Sequence, residues 1–110
     1  MKTIQVYSDS GHSWAKVELR ELYKLNIVDK ISSFSYVRQQ SFTSGLKVFA
    51  YLEEDSDLTA YLVALELSGI KYKFKESHTN RQSKIRNYKH FDSAYYVGLI
   101  NKANEALRGF

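Results

Sequence analysis

Three short polar segments carry the residue types that acid–base, metal or phosphate chemistry requires. They lie at residues 7–14, 51–57 and 75–80, and each begins where a strand-like run ends. If those strands share one sheet, the three segments meet at one end of the sheet and form a polar site. The supporting residues that we expect from the first segment are Asp9, His12 and Trp14.

The second and third segments supply carboxylates and an imidazole that suit a divalent cation or acid–base catalysis. The candidate metal ligands are Glu53, Glu54, Asp55, Glu76 and His78. Glu76 and His78 are also the candidate catalytic pair of a small metal-dependent phosphoester hydrolase or nuclease. No established ligand spacing is present, and consecutive acids before a helix are typical of a first turn that complements the helix dipole. We therefore predict no metal and no cofactor, and keep the hydrolase as an alternative.

A basic stretch favours a different chemistry, the binding of phosphate groups. Residues 71–90 contain seven Lys or Arg residues and the single acid Glu76, in a chain of net charge +4. Cations neutralise phosphates, and aromatic rings offer stacking faces for bases. The candidate residues for binding nucleic acid or another anion are Lys71, Lys73, Lys84, Arg86 and Tyr88. The simpler alternative is that lysines alternating along a strand form its solvated face.

Composition limits the class of protein. A chain of 110 residues, 25% of them charged, is expected to form a single folded domain over residues 1–110. It contains no cysteine, which excludes disulfides and thiolate metal sites. No N-terminal apolar stretch resembles a signal peptide, and no apolar run reaches the roughly 18 residues of a membrane helix. We expect a soluble, cytoplasmic protein that does not bind membranes.

Hydrophobic periodicity predicts the element order β-α-β-β-α-β-α. The predicted strands are residues 3–7, 31–37, 46–52 and 70–75, and the predicted helices are residues 17–26, 58–68 and 93–107. A polar loop at residues 38–45 joins the two middle strands into a hairpin. Ser56 or Asp57 is expected to cap the second helix, and Asp92 or Ser93 the last. The expected fold is an α+β two-layer sandwich, with a four-stranded, mostly antiparallel sheet and helices on one face.

Five motifs resemble a set of small uncharacterised proteins of tailed bacteriophages. They are YSDSGHSW at residues 7–14, KISS at 30–33, YLEED at 51–55, ESHT at 76–79 and SKIR at 83–86. The resemblance spans residues 4–88 and implies a non-structural phage protein made inside a bacterial host. Non-structural phage proteins often bind host machinery, nucleic acid or defence complexes. The group has no established activity, so the resemblance implies no catalytic residues.

Together these patterns favour a phage-type accessory protein that serves host takeover or anti-defence. We predict that it binds nucleic acid, or a host complex that handles nucleic acid, without catalysis. The small hydrolase described above is the first alternative. The second is an oligomeric structural or interaction protein, a homo-oligomer paired through the last helix at residues 93–107.

Overall fold

Six strands form one mixed sheet in the computed structural model of the protein, which describes residues 1–108, with side chains through residue 106. The strands are β1 (Lys2–Ser8), β2 (Ser13–Glu18), β3 (Tyr36–Phe42), β4 (Gly45–Glu53), β5 (Tyr72–His78) and β6 (Lys89–His90). The helices are α1 (Leu19–Lys24), α2 (Asp57–Leu67) and α3 (Ser93–Arg108), with short 3-10 turns at Val28–Lys30 and Lys84–Asn87. Their spatial order is β5-β1-β2-β4-β3-β6, and within the described residues only the β1–β5 pair is parallel.

The α+β class is confirmed, but the prediction of a four-stranded sheet is wrong. Residues 13–18, which we expected to lead into a helix, form β2 instead. Trp14 and Lys16 lie on one face of that strand, while Ala15 and Val17 enter the core on the other. Because both faces carry partly apolar side chains, the alternation of hydrophobicity is weak and the strand is not apparent in the sequence.

Most of the polar loop predicted at residues 38–45 is also strand. β3 runs to Phe42 and pairs with β4 along its whole length, ending at the pair Phe42↔Gly45. Val37 is its one fully buried residue, so the strand has almost no hydrophobic pattern and is held by its partner. Gly45 follows the tight turn with φ +124°, a conformation that favours glycine.

The main core lies between the sheet and the helices. The strands contribute apolar side chains from one face, and these pack against residues of all three helices; they are Ile4, Val6, Ala15, Val17, Val37, Ala50 and Leu52. The opposite face, here called the open face, carries a smaller cluster of Trp14, Tyr51 and Ile85. Because Ile85 belongs to the 3-10 turn before β6, the chain itself covers part of the open face.

A buried carboxylate joins the loop before β3 to the start of α2. Asp57 is 1% exposed and accepts hydrogen bonds from the amide and hydroxyl of Ser32 and from the hydroxyl of Ser35. The Ser35 oxygen in turn accepts from the Glu53 amide at 3.0 Å. This chain of bonds fixes the end of β4 against the first turn of α2.

Replacing Ser35 by alanine should lower the free energy of unfolding by about 1–3 kcal/mol, because the Glu53 amide and the Asp57 carboxylate each lose a buried partner. Urea unfolding measures the change. Ser33→Ala is the matched control: Ser33 is exposed, and its loss should alter stability by no more than about 0.5 kcal/mol. Equal stabilities for the two variants would contradict the role given to Ser35.

Candidate functional site

The three polar segments found in the sequence do lie at the same end of the sheet. β1, β4 and β5 end there and β2 begins there, so that Ser8 pairs with His78 and Trp14 pairs with Glu53. The strand order still separates His78 from Glu53 by three strand spacings, or about 14 Å. The acidic and histidine-bearing segments share one end of the sheet without forming one site.

The first segment is organised by the carboxylate of Asp9, which is 6% exposed. It accepts hydrogen bonds from the amides of Gly11 and His12, which close the turn between β1 and β2. It also accepts from the amide of Ser83 at 3.0 Å and from the Arg86 guanidinium at 2.7 and 2.9 Å. The Arg86 bonds lower the pKa of Asp9 most, and the amide bonds lower it further. Asp9 therefore remains ionised at any ordinary pH.

Arg86 and Ile85 dock the segment before β6 onto the open face. The Arg86 guanidinium lies 5.3 Å from the centre of the Trp14 ring, and its donors are directed at Asp9. Ile85 is buried against Trp14 and Tyr51. Arg86, a sequence candidate for anion contact, is thus an internal anchor, and Asp9 and Trp14 hold it in place.

The acidic segment forms the start of α2. The Glu53 carboxylate accepts hydrogen bonds from the amides of Asp55, Ser56 and Asp57 at 2.7 to 2.9 Å. Ser56 occupies the N-cap position of α2, but its side chain makes no capping bond, and the Asp57 side chain bonds to Ser32 and Ser35 instead. The predicted capping by the side chain of Ser56 or Asp57 is therefore wrong. Burial raises the pKa of Glu53, but the three amides together outweigh it and lower the pKa. Asp92 does cap α3, by accepting from the Tyr95 amide at 3.2 Å.

The histidines bond to their neighbours. His78 Nδ1 lies 2.9 Å from the Ser8 hydroxyl and Nε2 lies 3.2 Å from the Asn80 side-chain oxygen. His12 lies 3.9 Å from the Glu54 carboxylate, and both side chains are largely exposed. Within residues 1–108, no three His, Asp or Glu side chains are grouped so as to hold a metal ion. The structure does not bring together the candidate ligands Glu53, Glu54, Asp55, Glu76 and His78.

A cleft with a volume of 440 Å³ lies on the open face of the sheet. Its floor consists of side chains from the central strands, namely Tyr7, Lys16, Arg38, Gln40 and Tyr51. Its wall is the segment that Asp9 and Ile85 hold in place, and it comprises Thr79, residues 81–85 and Tyr88. Four of these lining residues are cationic and, among the described residues, none is acidic; the cations are Lys16, Arg38, Arg81 and Lys84.

Lys16 is the most enclosed of the four cations. Its ammonium group lies 4.2 Å from the centre of the Phe49 ring and 3.5 Å from the Gln40 side-chain oxygen. Burial, and secondarily the charge of Arg38, lower the pKa of Lys16. In the described part of the chain no carboxylate forms an ion pair with it. A half-buried cation beside a second cation is a position that a bound anion would stabilise.

Tyrosine rings lie beside the cations. Arg38 donates a hydrogen bond of 2.8 Å to the Tyr88 hydroxyl, and its guanidinium lies 5.0 Å from the Tyr88 ring centre. Tyr88 in turn contacts Tyr51 edge to face at 5.1 Å. Burial raises the pKa of Tyr51 to about 12, so its hydroxyl stays protonated and able to donate. The cleft thus combines positive charge, neutral donors and aromatic rings.

Two of the five sequence candidates for anion binding, Lys84 and Tyr88, line the cleft. Lys73 lies on the open face but on the outermost strand β5, where it pairs with Thr3. Lys71 is exposed just before β5.

Sequence reasoning missed Lys16 and Arg38. Each follows an aromatic residue by two positions in a strand, Trp14 and Tyr36 respectively, and the period of two places ring and cation on one face. A cation two positions after an aromatic residue was therefore the sequence feature that could have identified Lys16 and Arg38. Arg81 gave no separate signal among the cations around it.

The last helix, α3, was the expected oligomer contact. Its exposed apolar side chains are Tyr95, Leu99 and Ile100. Nothing in the described residues shows what covers them, and the side chain of residue 107 lies outside the description. None of the described helices has the length and apolar character that crossing a membrane requires.

No protein-family model, curated protein or solved structure matches the chain. The description of the site therefore rests on the residues of this chain. They form a cleft on the open face of the sheet that is lined by cations and aromatic rings.

Asp9→Asn should make the stability of the protein depend less on pH in the acid range. Because the folded pKa of Asp9 is depressed below its ordinary value of 3.8, the stabilisation that it provides is complete above that pH. It is lost as the pH falls below 3.8 toward the depressed folded value. Thermal unfolding between about pH 2 and pH 7 should show a steeper acid loss for the wild type than for Asp9→Asn.

Asp29→Asn is the control for this measurement, since Asp29 is exposed and outside the Asp9 network. Its profile should follow that of the wild type. Parallel acid profiles for wild type and Asp9→Asn would show that the Asp9–Arg86 pair contributes nothing to stability.

Proposed function

We propose that the protein binds single-stranded nucleic acid, without catalysis, on the open face of its sheet. The observation that carries this proposal is the cleft: among the described residues its lining contains four cations and no carboxylate, and the half-buried Lys16 forms no ion pair there. Phosphate groups of a nucleic-acid backbone supply the missing negative charge. The motif resemblance supports a phage accessory role in host takeover or anti-defence, in the cytoplasm of an infected bacterium.

Aromatic residues beside the cations favour a single strand over a duplex. The Phe49 ring lies under Lys16, and Phe42, which is 41% exposed, lies 6.1 Å from Phe49. Bases of a single strand stack on such rings, at about 1–3 kcal/mol per base. In a duplex the bases are already stacked and present only their edges in the grooves.

Further lysines extend the positive surface beyond the cleft. The parallel register of β1 and β5 pairs Lys73 with Thr3 and Lys75 with Gln5, on the side of the sheet that carries Tyr7. A backbone bound in the cleft would continue toward these lysines.

The hydrolase alternative has less support, because its candidate residues are not grouped. Glu53 is bonded to three amides, and the exposed Glu54 and Asp55 belong to no group of three possible metal ligands within residues 1–108. Glu76 pairs with Val6, a core residue, and therefore lies on the helix side of the sheet, away from the cleft.

Neutralising Lys84 should weaken binding and its dependence on salt. The measurement is fluorescence anisotropy with a labelled single-stranded oligonucleotide of about 12 nucleotides. For the wild type we expect log K to fall with log salt concentration with a slope of about −2 to −3, which corresponds to three or four phosphate contacts. Lys84→Gln should reduce the magnitude of that slope by about 0.7, and a duplex of the same sequence should bind more weakly.

Lys30→Gln is the control, because it removes the same charge from an exposed residue on the helix side. Its affinity and slope should match the wild type. An equal loss in both variants would mean that net charge, and not the cleft, drives binding. Absence of binding even at low salt would contradict the proposal and favour a host complex as the partner.

Lys16→Met should weaken binding while leaving the unfolding midpoint unchanged or higher. The pKa of Lys16 is lowered by folding, so wherever the pH lies below the folded pKa the charge of Lys16 disfavours the folded state. The wild type should gain stability as the pH rises through the folded pKa toward 10.5, and the variant should lack that gain. A lower midpoint with unchanged affinity would instead identify Lys16 as a structural residue.

A further inference from the structure

β5 is an edge strand with an unpaired outer side. Within residues 1–108 it pairs only with β1. The Lys2 amide donates to the Lys71 carbonyl and the Thr79 amide donates to the Ser8 carbonyl, so the odd-numbered backbone groups of residues 71–79 face β1. The even-numbered groups alternate with them and face outward. They belong to Tyr72, Phe74, Glu76 and His78.

Exposed apolar side chains occur on β5, just before it, and on α2, to which Tyr72 of β5 is hydrogen-bonded. Four of them occur on β5, on the residues before it and on the last turns of α2; they are Val63, Leu67, Ile70 and Phe74, which are 49%, 85%, 38% and 46% exposed. Tyr72 connects the two elements, since its ring lies 5.6 Å from Phe74 and its hydroxyl donates to Glu66 at 3.0 Å. Lysines are one of the devices that protect an edge strand from aggregation, and β5 carries Lys73 and Lys75. Exposed apolar side chains that occur together, in contrast to scattered ones, are typical of a contact surface.

Charge argues against a second copy of this chain as the occupant. When two copies of β5 pair antiparallel about a two-fold axis, each odd-numbered residue lies opposite an odd-numbered residue of the other copy. Each even-numbered residue likewise lies opposite an even-numbered one. Each of the registers that pair most of the strand places like charges opposite each other. The opposed residues are Lys73 and Lys75, or Lys75 of both copies, or Glu76 of both copies. Like charges directly opposite each other destabilise a strand pair.

We propose that β5 accepts an extended segment of a partner protein as an added strand. The segment alternates acidic residues, which lie opposite Lys73 and Lys75, with apolar residues, which lie opposite Tyr72 and Phe74. Backbone hydrogen bonds to the outward groups give affinity, and the alternating side chains give specificity. Lys73 and Lys75 form no ion pair within the described residues, so an acidic strand supplies their partners.

The test uses a capped synthetic peptide of about eight residues that alternates Glu and Val. Amide hydrogen exchange of the whole protein is followed by NMR with and without the peptide. At a peptide concentration ten times the dissociation constant, exchange should slow roughly tenfold at the outward amides of Tyr72, Phe74, Glu76 and His78. The amides of Lys73 and Lys75, already bonded to β1, should change little.

Phe74→Pro and Phe74→Ala form a matched pair of variants. Both remove the ring, but only proline removes an outward amide, and that amide is not used by β1. Proline is tolerated at such an edge position. The proline variant should bind the peptide more weakly than the alanine variant. Lys73→Glu combined with Lys75→Glu should transfer binding to a peptide that alternates Lys and Val.

Three results would overturn the proposal. The first is exchange that slows alike at odd and even residues, or that does not slow at millimolar peptide. The second is equal peptide affinity of the two Phe74 variants. The third is a dimer of the chain alone, in sedimentation, that Phe74→Pro dissociates, since a second copy would then occupy the edge. Phe74 lies on the helix side of β5, so Phe74→Pro should leave oligonucleotide binding unchanged, which separates this proposal from the preceding one.

Discussion

The carboxylate of Asp9 is the interaction on which the open face depends. It accepts five hydrogen bonds, two within its own turn and three from Ser83 and Arg86, and the Arg86 bonds span 77 positions of the chain. These bonds hold residues 79–88 against the sheet, with Ile85 as the accompanying apolar contact. Because the wall of the cleft is this same segment, the Asp9–Arg86 pair helps to hold the cleft in shape, together with the contacts of Ile85 and Tyr88.

The Asp9–Arg86 pair also shows that the cations near the cleft differ in role. Arg86 is neutralised internally by Asp9, whereas Lys16, Arg38 and Lys84 face the cleft with no carboxylate among its lining residues. The helix side of the sheet provides the main core, so the open face is free to carry charged and aromatic side chains. Lys16 is half-buried and forms no ion pair within the described residues, so it lowers the stability of the folded state while it is charged. A residue that lowers stability in this way is typical of a functional site that a ligand completes.

The parts of the structure that were predictable from sequence have strong local patterns. α2 follows the helical spacing of Leu58, Tyr61, Leu62 and Leu65, of which Tyr61 and Leu65 are buried, and β4 contains a continuous apolar run at residues 48–52. The meeting of the polar segments at one end of the sheet follows from the strand directions. β2 was missed, and β3 was predicted at residues 31–37 although it runs from Tyr36 to Phe42. Open-face residues of these strands, such as Lys16 and Arg38, are long and amphipathic and hide the period of two. The pairing of Arg86 with Asp9 was not predictable, because it depends on how distant segments meet. The signal that remains in the sequence is a cation two positions after an aromatic residue within a strand.

Binding at the cleft can be tested by an NMR titration of isotopically labelled protein with a single-stranded oligonucleotide. We expect chemical-shift changes to concentrate on the open face, at the central-strand residues Tyr7, Lys16, Arg38 and Tyr51 and along the wall at residues 79–88. Shifts confined to the helices α1, α2 and α3, or no shifts at low salt, would contradict the claim that this cleft binds nucleic acid.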